Sequence, residues 1–101
     1  MNKLICTAAA VTMLAAAPLV QAAGDAAAGQ AKSALCAACH GADGHSPNDL
    51  WPNLAGQKHG YLAKQMKAFR DGTRSDPMMS PMAKPLTDED IDNLAAYYSS
   101  Q

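Results

Sequence analysis

Apolar and polar positions change pattern several times along the chain. Leu4 to Val20 form a nearly unbroken alanine-rich apolar run after the short positive start Met1-Asn2-Lys3. A run of this kind reads as a secretory leader, and Val20-Gln21-Ala22 offers small residues for cleavage after Ala22. Cleavage after Ala23 would instead put Gln21 where a small side chain is favoured. Cys6 lies inside this leader and leaves with it. If retained, the same run is close to the roughly 20 residues of a membrane anchor. Residues 1–22 are therefore expected to be removed, leaving residues 23–101 as one exported domain.

Beyond the leader the pattern predicts three helices. The first starts at about Asp25, a good N-cap after Gly24, and runs through an alanine-rich stretch to about Cys39. Gly29 inside it costs about 1 kcal/mol relative to alanine, which suggests close approach by another backbone. A loop follows from Gly41 to Gly56, punctuated by Gly44, Pro47 and Pro52. The second helix covers about Lys58 to Arg70. Tyr61, Leu62, Gln65, Met66 and Phe69 form its inner stripe, with Lys64 and Lys67 outside. Asp71-Gly72 ends it. Pro77, Pro81 and Pro85 exclude a continuous helix over 71–86. The third helix starts at Thr87, with Asp90 as a variant of the capping box and Asp88 and Glu89 in the dipole-favoured first turn. Ile91, Leu94, Ala95 and Tyr98 make its apolar face, with Tyr97 alongside. The near absence of β-branched residues removes strands. The expected fold class is all-α, with long connecting loops.

Composition then raises a conflict. Removal of 22 of the 101 residues leaves 79, enough for one small domain. Its large aliphatic and phenylalanine residues are only Leu35, Leu50, Leu54, Leu62, Phe69, Leu86, Ile91 and Leu94, with no valine. That share is about a tenth, far under the ~20% below which a highly charged chain is disordered; the net charge here is small. The helix signals are nonetheless strong. A large apolar prosthetic group in the middle of the fold resolves the conflict, since small scaffolds usually need such a staple.

Cys36-Ala37-Ala38-Cys39-His40 says which group. C-x-x-C-H is the attachment signature of a c-type haem. Cysteines three apart on a helical turn lie roughly 5–6 Å apart at Cβ, so each thiol can add to one of two vinyl groups on a porphyrin edge. His40 follows directly and can bind iron as the proximal ligand. Other readings fit less well. A thioredoxin-like C-x-x-C would sit beside a βαβ pattern, and none is visible. A structural zinc site wants four ligands; beyond the motif only His45 and His59 remain. A Cys36–Cys39 disulfide would leave His40 idle. Thioether attachment requires assembly outside the cytoplasm, which agrees with export to the periplasm.

The sixth iron position decides between electron transfer and ligand binding. A thioether there raises the potential and closes the iron. Candidates are Met78, Met79 and Met82 in the proline-pinned loop, whereas Met66 lies on the second helix as core. His45 or His59 is a minor alternative to methionine.

These residues closely resemble the small bacterial class I cytochromes c, over roughly Gly24 to Ser100. The resemblance rests on Gly29, CAACHGADG at 36–44, Pro52-Asn53-Leu54-Ala55-Gly56-Gln57, the methionine loop, and LTDEDIDNLAAYY at 86–98. It implies the small cytochrome c fold, three main helices around one covalently attached haem c per chain. It implies that Gly29 crosses the last helix at Leu94 and Tyr97, and that the Pro52 carbonyl accepts from the haem histidine. Counting back seven from Leu86, as in similar sequences, implies Met79 as the axial ligand, with Met82 or Met78 as the alternatives. Trp51 has no place in the pattern; it packs on a haem edge or fills core.

The function so implied is a periplasmic electron carrier with His40 and Met79 on iron, and not an enzyme. Alternatives are a haem-bearing subunit of a larger oxidoreductase, or a ligand-binding or peroxidatic haem protein. Without the leader, seven Lys and Arg stand against nine Asp and Glu, a net of −2. Lys58, Lys64, Lys67, Arg70, Arg74 and Lys84 precede the acidic cluster Asp88, Glu89, Asp90 and Asp92. This asymmetry predicts a basic rim from Lys58 to Lys84 that steers acidic faces of redox partners. Nucleic-acid binding has no support, and membrane attachment would require a retained leader.

Overall fold

Asp25 opens the first helix as an N-cap: its carboxylate accepts from the backbone N–H of Ala27 and Ala28 at 2.9 and 3.3 Å in the computed structural model. The structure describes residues 2–13 and 24–101. The expected cleavage point after Ala22 lies outside them. Residues 2–13 carry no regular secondary structure and expose Leu4, Ile5, Val11 and Met13. No helix among the described residues is long and apolar enough to cross a membrane.

All regular structure among the described residues is helical. The elements are α1 (Ala26–Lys32), a 3₁₀ turn (Ser33–Leu35), α2 (Ala37–His40), α3 (His59–Asp71), α4 (Met79–Ala83) and α5 (Asp88–Ser99). The first expected helix is thus split. Ser33 causes the break locally: its hydroxyl donates to the Gln30 carbonyl at 2.6 Å, competing with the helical ladder. Cys36 then becomes the N-cap residue of α2.

The prolines do exclude a continuous helix over 71–86, but the segment is not all loop: a short helix, α4, lies within it. Pro81 is its third residue. The first turn of any helix has N–H groups without intrahelical acceptors, so the missing donor of proline costs nothing there. Beyond Lys84, Pro85 stops it.

Helix α5 packs against both α1 and α3, and α4 packs on α3. Thr87 and Asp90 form the expected reciprocal cap, each backbone N–H donating to the other's side chain at 3.0 Å. The core is Leu62, Ala63, Phe69, Ala83, Leu86, Ile91, Leu94, Ala95, Tyr97 and Tyr98. On α3 the buried face includes Ala63 rather than Tyr61, which is half exposed at 51%. The reason is geometric: Leu62, Ala63 and Phe69 share one face of the helix within the core, and Tyr61 sits beyond the edge of that stripe.

The α1–α5 crossing is closer than side chains allow. A Cβ on Gly29 would overlap the Asn93 carbonyl and come within 2.9 Å of Tyr97 Cβ. Tyr97 was expected at this contact; the other partner is Asn93, not Leu94, because Leu94 turns into the core and is 1% exposed. Asn93 also reaches across, its Oδ1 accepting from Asp25 N–H at 2.8 Å.

Candidate haem-binding site

The motif sits on a single turn. Cys39 and His40 backbone N–H groups both donate to the Cys36 carbonyl, at 3.3 and 2.9 Å. Gly41 ends the turn with φ +81°, a conformation open to glycine that swings the chain away directly after His40. Cys36 and Cys39 are unbridged and half-buried, and Cys36 packs against the core. Burial pushes the Cys36 thiol above its ordinary value, against a weaker opposing pull from the Tyr98 hydroxyl. The fully buried Tyr98 hydroxyl lies against Cys36 and Ser33 without a well-formed hydrogen bond to either.

His40 is buried, and its Nδ1 lies 2.8 Å from the Pro52 carbonyl. A carbonyl only accepts, so Nδ1 carries the proton and Nε2 keeps its lone pair. That is the tautomer a metal-ligating histidine requires. The loop between them is built to hold this contact. Leu54 and Ala55 N–H donate to the Gly44 carbonyl at 2.7 and 3.1 Å, and Ser46 N–H donates to Asn53 Oδ1 at 2.7 Å. Two bonds tie the loop to α5: the Tyr97 hydroxyl donates to the Ala42 carbonyl at 2.8 Å, and Gly56 N–H donates to the Tyr98 carbonyl at 2.9 Å.

The three loop methionines differ in placement. Met79 is half-buried and packs against the core, whereas Met78 and Met82 are 52% and 44% exposed. Met66 is half-buried at the core margin. Asp76 organises the loop: its Oδ2 accepts from the N–H of Met78 and of Met79, each at 2.8 Å. Neither Asp76 nor its neighbour Ser80 stood out in the sequence, although an Asp two or three residues before unpaired N–H groups is a turn-forming signal.

Of the other histidines, His45 is exposed and its Nδ1 lies 3.1 Å from Asp43 Oδ2. His59 is half-buried at the start of α3, with a buried Nε2 that has no partner among the described residues. Trp51 is half-buried and outside the core cluster.

Two of the six expected rim cations are locally engaged. Arg70 pairs with Asp71 and Asp88 at 2.9 and 2.7 Å. Arg74 lies 4.4 Å over the Phe69 ring and donates to Gln65 Oε1 at 2.7 Å. Lys58, Lys64, Lys67 and Lys84 form no ion pair among the described residues.

Two thiols on one turn, an imidazole with a free Nε2 and a half-buried thioether make a donor set that fits a covalently held haem. Exposed apolar side chains fit it too. Leu35, immediately before Cys36, is 56% exposed, and Leu50 is 84% exposed; a large planar apolar group would cover surface of this kind.

Comparison with known proteins agrees. The cytochrome c family model matches residues 26–101. Cytochrome c-554(548) of Halomonas halodenitrificans is 54% identical over an alignment of 82 positions that covers 78% of this chain and 99% of that protein. Cytochrome c4 of Pseudomonas aeruginosa is 50% identical over 101 residues, the whole of this chain and 49% of that protein. The solved structure of reduced recombinant cytochrome c4 from Pseudomonas stutzeri has a TM-score of 0.75 at 46% identity, covering 78% of this chain and 46% of that one. The chain spans about half the length of these cytochrome c4 relatives.

Proposed function

The chain belongs to the cytochrome c family, and on that premise we propose that it carries single electrons between protein partners on one covalently attached haem c. The observation that carries this reading is the buried His40, held by the Pro52 carbonyl at 2.8 Å directly after two free thiols. Cys36 and Cys39 would hold the group through thioethers. His40 Nε2 and the Met79 thioether would take the axial positions, with Met82 or Met78 as the alternatives. When bound, the haem supplies a one-electron iron couple, in which no substrate bond is made or broken. The Pro52 carbonyl fixes the imidazole plane and raises its basicity. A methionine in the sixth position favours the reduced state and keeps exogenous ligands out.

Export completes the reading. Residues 1–22 act as a leader, and the working domain is residues 23–101 in the periplasm. Lys58, Lys64, Lys67 and Lys84 form the basic rim that attracts an acidic partner face. The rate of reduction by the natural donor should fall as ionic strength rises; a flat salt dependence removes the rim from the account.

Carbon monoxide added to the reduced holoprotein tests the function itself. A carrier with a closed sixth site leaves the spectrum unchanged. Rapid binding would instead support a ligand-binding or peroxidatic haem protein. Similarity to the thiosulfate dehydrogenase electron acceptor of Thiomonas intermedia, 48% identical over 69 residues, supports one further reading, a haem-bearing subunit of a larger oxidoreductase. Recovery from its host in a stoichiometric complex would select that reading over a free shuttle.

A further inference from the structure

Three methionines within five positions compete for one role, and something must choose among them. We propose that Asp76 is the positioning residue that turns Met79 inward and holds Met78 and Met82 outward, so fixing the identity and the lability of the sixth iron ligand. This inference rests on the axial reading of Met79 proposed above.

The geometry around Met79 is a closed set of bonds. Asp76 Oδ2 accepts from the N–H groups of both Met78 and Met79 at 2.8 Å. In return, Asp76 N–H donates to Ser80 Oγ at 2.9 Å, and Ser80 N–H donates to the Asp76 carbonyl at 3.0 Å. Met79 therefore sits in a bracket whose two ends, Asp76 and Ser80, are bonded to each other. Pro77 and Pro81 fix φ on either side and contribute no competing donor.

Rotation is what the bracket controls. Successive helical residues point roughly 100° apart, so a one-residue slip of α4 would present Met78 in place of Met79. Both N–H groups converge on one carboxylate oxygen, which defines a single phase for the turn. A carboxylate is a stronger acceptor for N–H than a neutral oxygen. The far end of the segment is fixed separately: Leu86 N–H donates to the Ala83 carbonyl at 3.0 Å, and Arg70 Nη1 donates to the Leu86 carbonyl at 3.2 Å. Asp76 thus governs the entry to the segment, with its exit already fixed.

The test uses the ferric holoprotein and two readouts at the iron itself rather than of global unfolding. These are the weak far-red sulfur-to-iron band and the rate of imidazole binding. Asp76→Ala should weaken the band and raise the imidazole rate about tenfold, the loss expected for a charge-assisted hydrogen bond. Asp76→Asn, which keeps an oxygen acceptor without charge, should fall between Asp76→Ala and wild type. Ser80→Ala opens the bracket from its other end and should raise the rate without touching the carboxylate. It carries the test if Asp76 variants do not accumulate as holoprotein. Wild-type band and rate in Asp76→Ala, or in Ser80→Ala where only that variant folds, overturn the inference. Met79→Leu separates the two claims. A far-red band that survives Met79→Leu overturns the axial reading. A band lost in Met79→Leu but untouched in the Asp76 and Ser80 variants overturns the positioning role alone.

Discussion

Arg70 Nη1 donates to the carbonyl of Leu86 at 3.2 Å, closing a segment of the chain that spans 16 positions and contains all three loop methionines. The same nitrogen reaches Asp88 Oδ1 at 2.7 Å, and Nε reaches Asp71 Oδ1 at 2.9 Å. One side chain thereby joins the end of α3 to the start of α5. Arg70→Lys should not replace it, because a single ammonium cannot span three acceptors in a planar fork. Both Arg70→Ala and Arg70→Lys should unfold at lower denaturant concentration than wild type. A lysine variant of wild-type stability would show that charge alone, without the fork, suffices.

Gly29→Ala sets two effects of opposite sign against each other. Helix propensity favours alanine by about 1 kcal/mol. Overlap of the new Cβ with the Asn93 carbonyl forces α1 away from α5, and overpacking costs typically about 1–3 kcal/mol. The neighbour is backbone and cannot swing aside, so the steric cost wins. Denaturant unfolding should place this variant below wild type, and a gain in stability would mean the crossing is looser than described.

Adjacent tyrosines on α5 should respond differently to loss of a hydroxyl. Tyr97 donates to the Ala42 carbonyl at 2.8 Å, so Tyr97→Phe should cost about 1 kcal/mol. Tyr98 is 1% exposed with a hydroxyl that lacks a well-formed hydrogen bond. Removing that group strands no partner, and Tyr98→Phe should be neutral or mildly stabilising. Equal losses in the two variants would reveal a bond at Tyr98.

Acid should erode the start of α5. Hydrogen bonding from the Thr87 backbone, with help from Lys32 at 3.5 Å, holds the Asp90 carboxyl below its ordinary value of 3.8. A depressed folded value means that Asp90 stabilises fully above the unfolded value and loses this contribution as pH falls through the folded one. Asp90→Asn should flatten that part of the acid limb, measured by helicity against pH. Thr87→Ala, the other half of the cap, should cost about 1 kcal/mol at neutral pH. An acid limb identical in Asp90→Asn and wild type would show that the cap does not titrate.

What could be read from the sequence was local. The Cys36–His40 turn, the Thr87–Asp90 cap and the inner face of α5 follow from spacing and residue type within a few positions, whereas on α3 the expected stripe took in Tyr61 and missed the buried Ala63. Contacts set by packing were less accessible. The Gly29 crossing was legible as a glycine needing a neighbour, yet which residue filled the space depended on the rotation of α5. Proline read as a breaker concealed α4, because the cost of Pro81 vanishes only at a helix start. The Pro52–His40 contact spans 12 positions and could be expected only through the family resemblance. The different burial of Met78, Met79 and Met82 follows from how α4 is turned, and the bonds from Met78 and Met79 N–H to Asp76 are ones no apolar periodicity reports.

Extraction of the purified, properly matured protein with acidified acetone tests the central claim most directly. Covalent attachment at Cys36 and Cys39 predicts that the chromophore stays with the polypeptide and that its reduced form shows sharp c-type bands. A colourless polypeptide, with the haem in the organic phase or with none at all, would contradict the account.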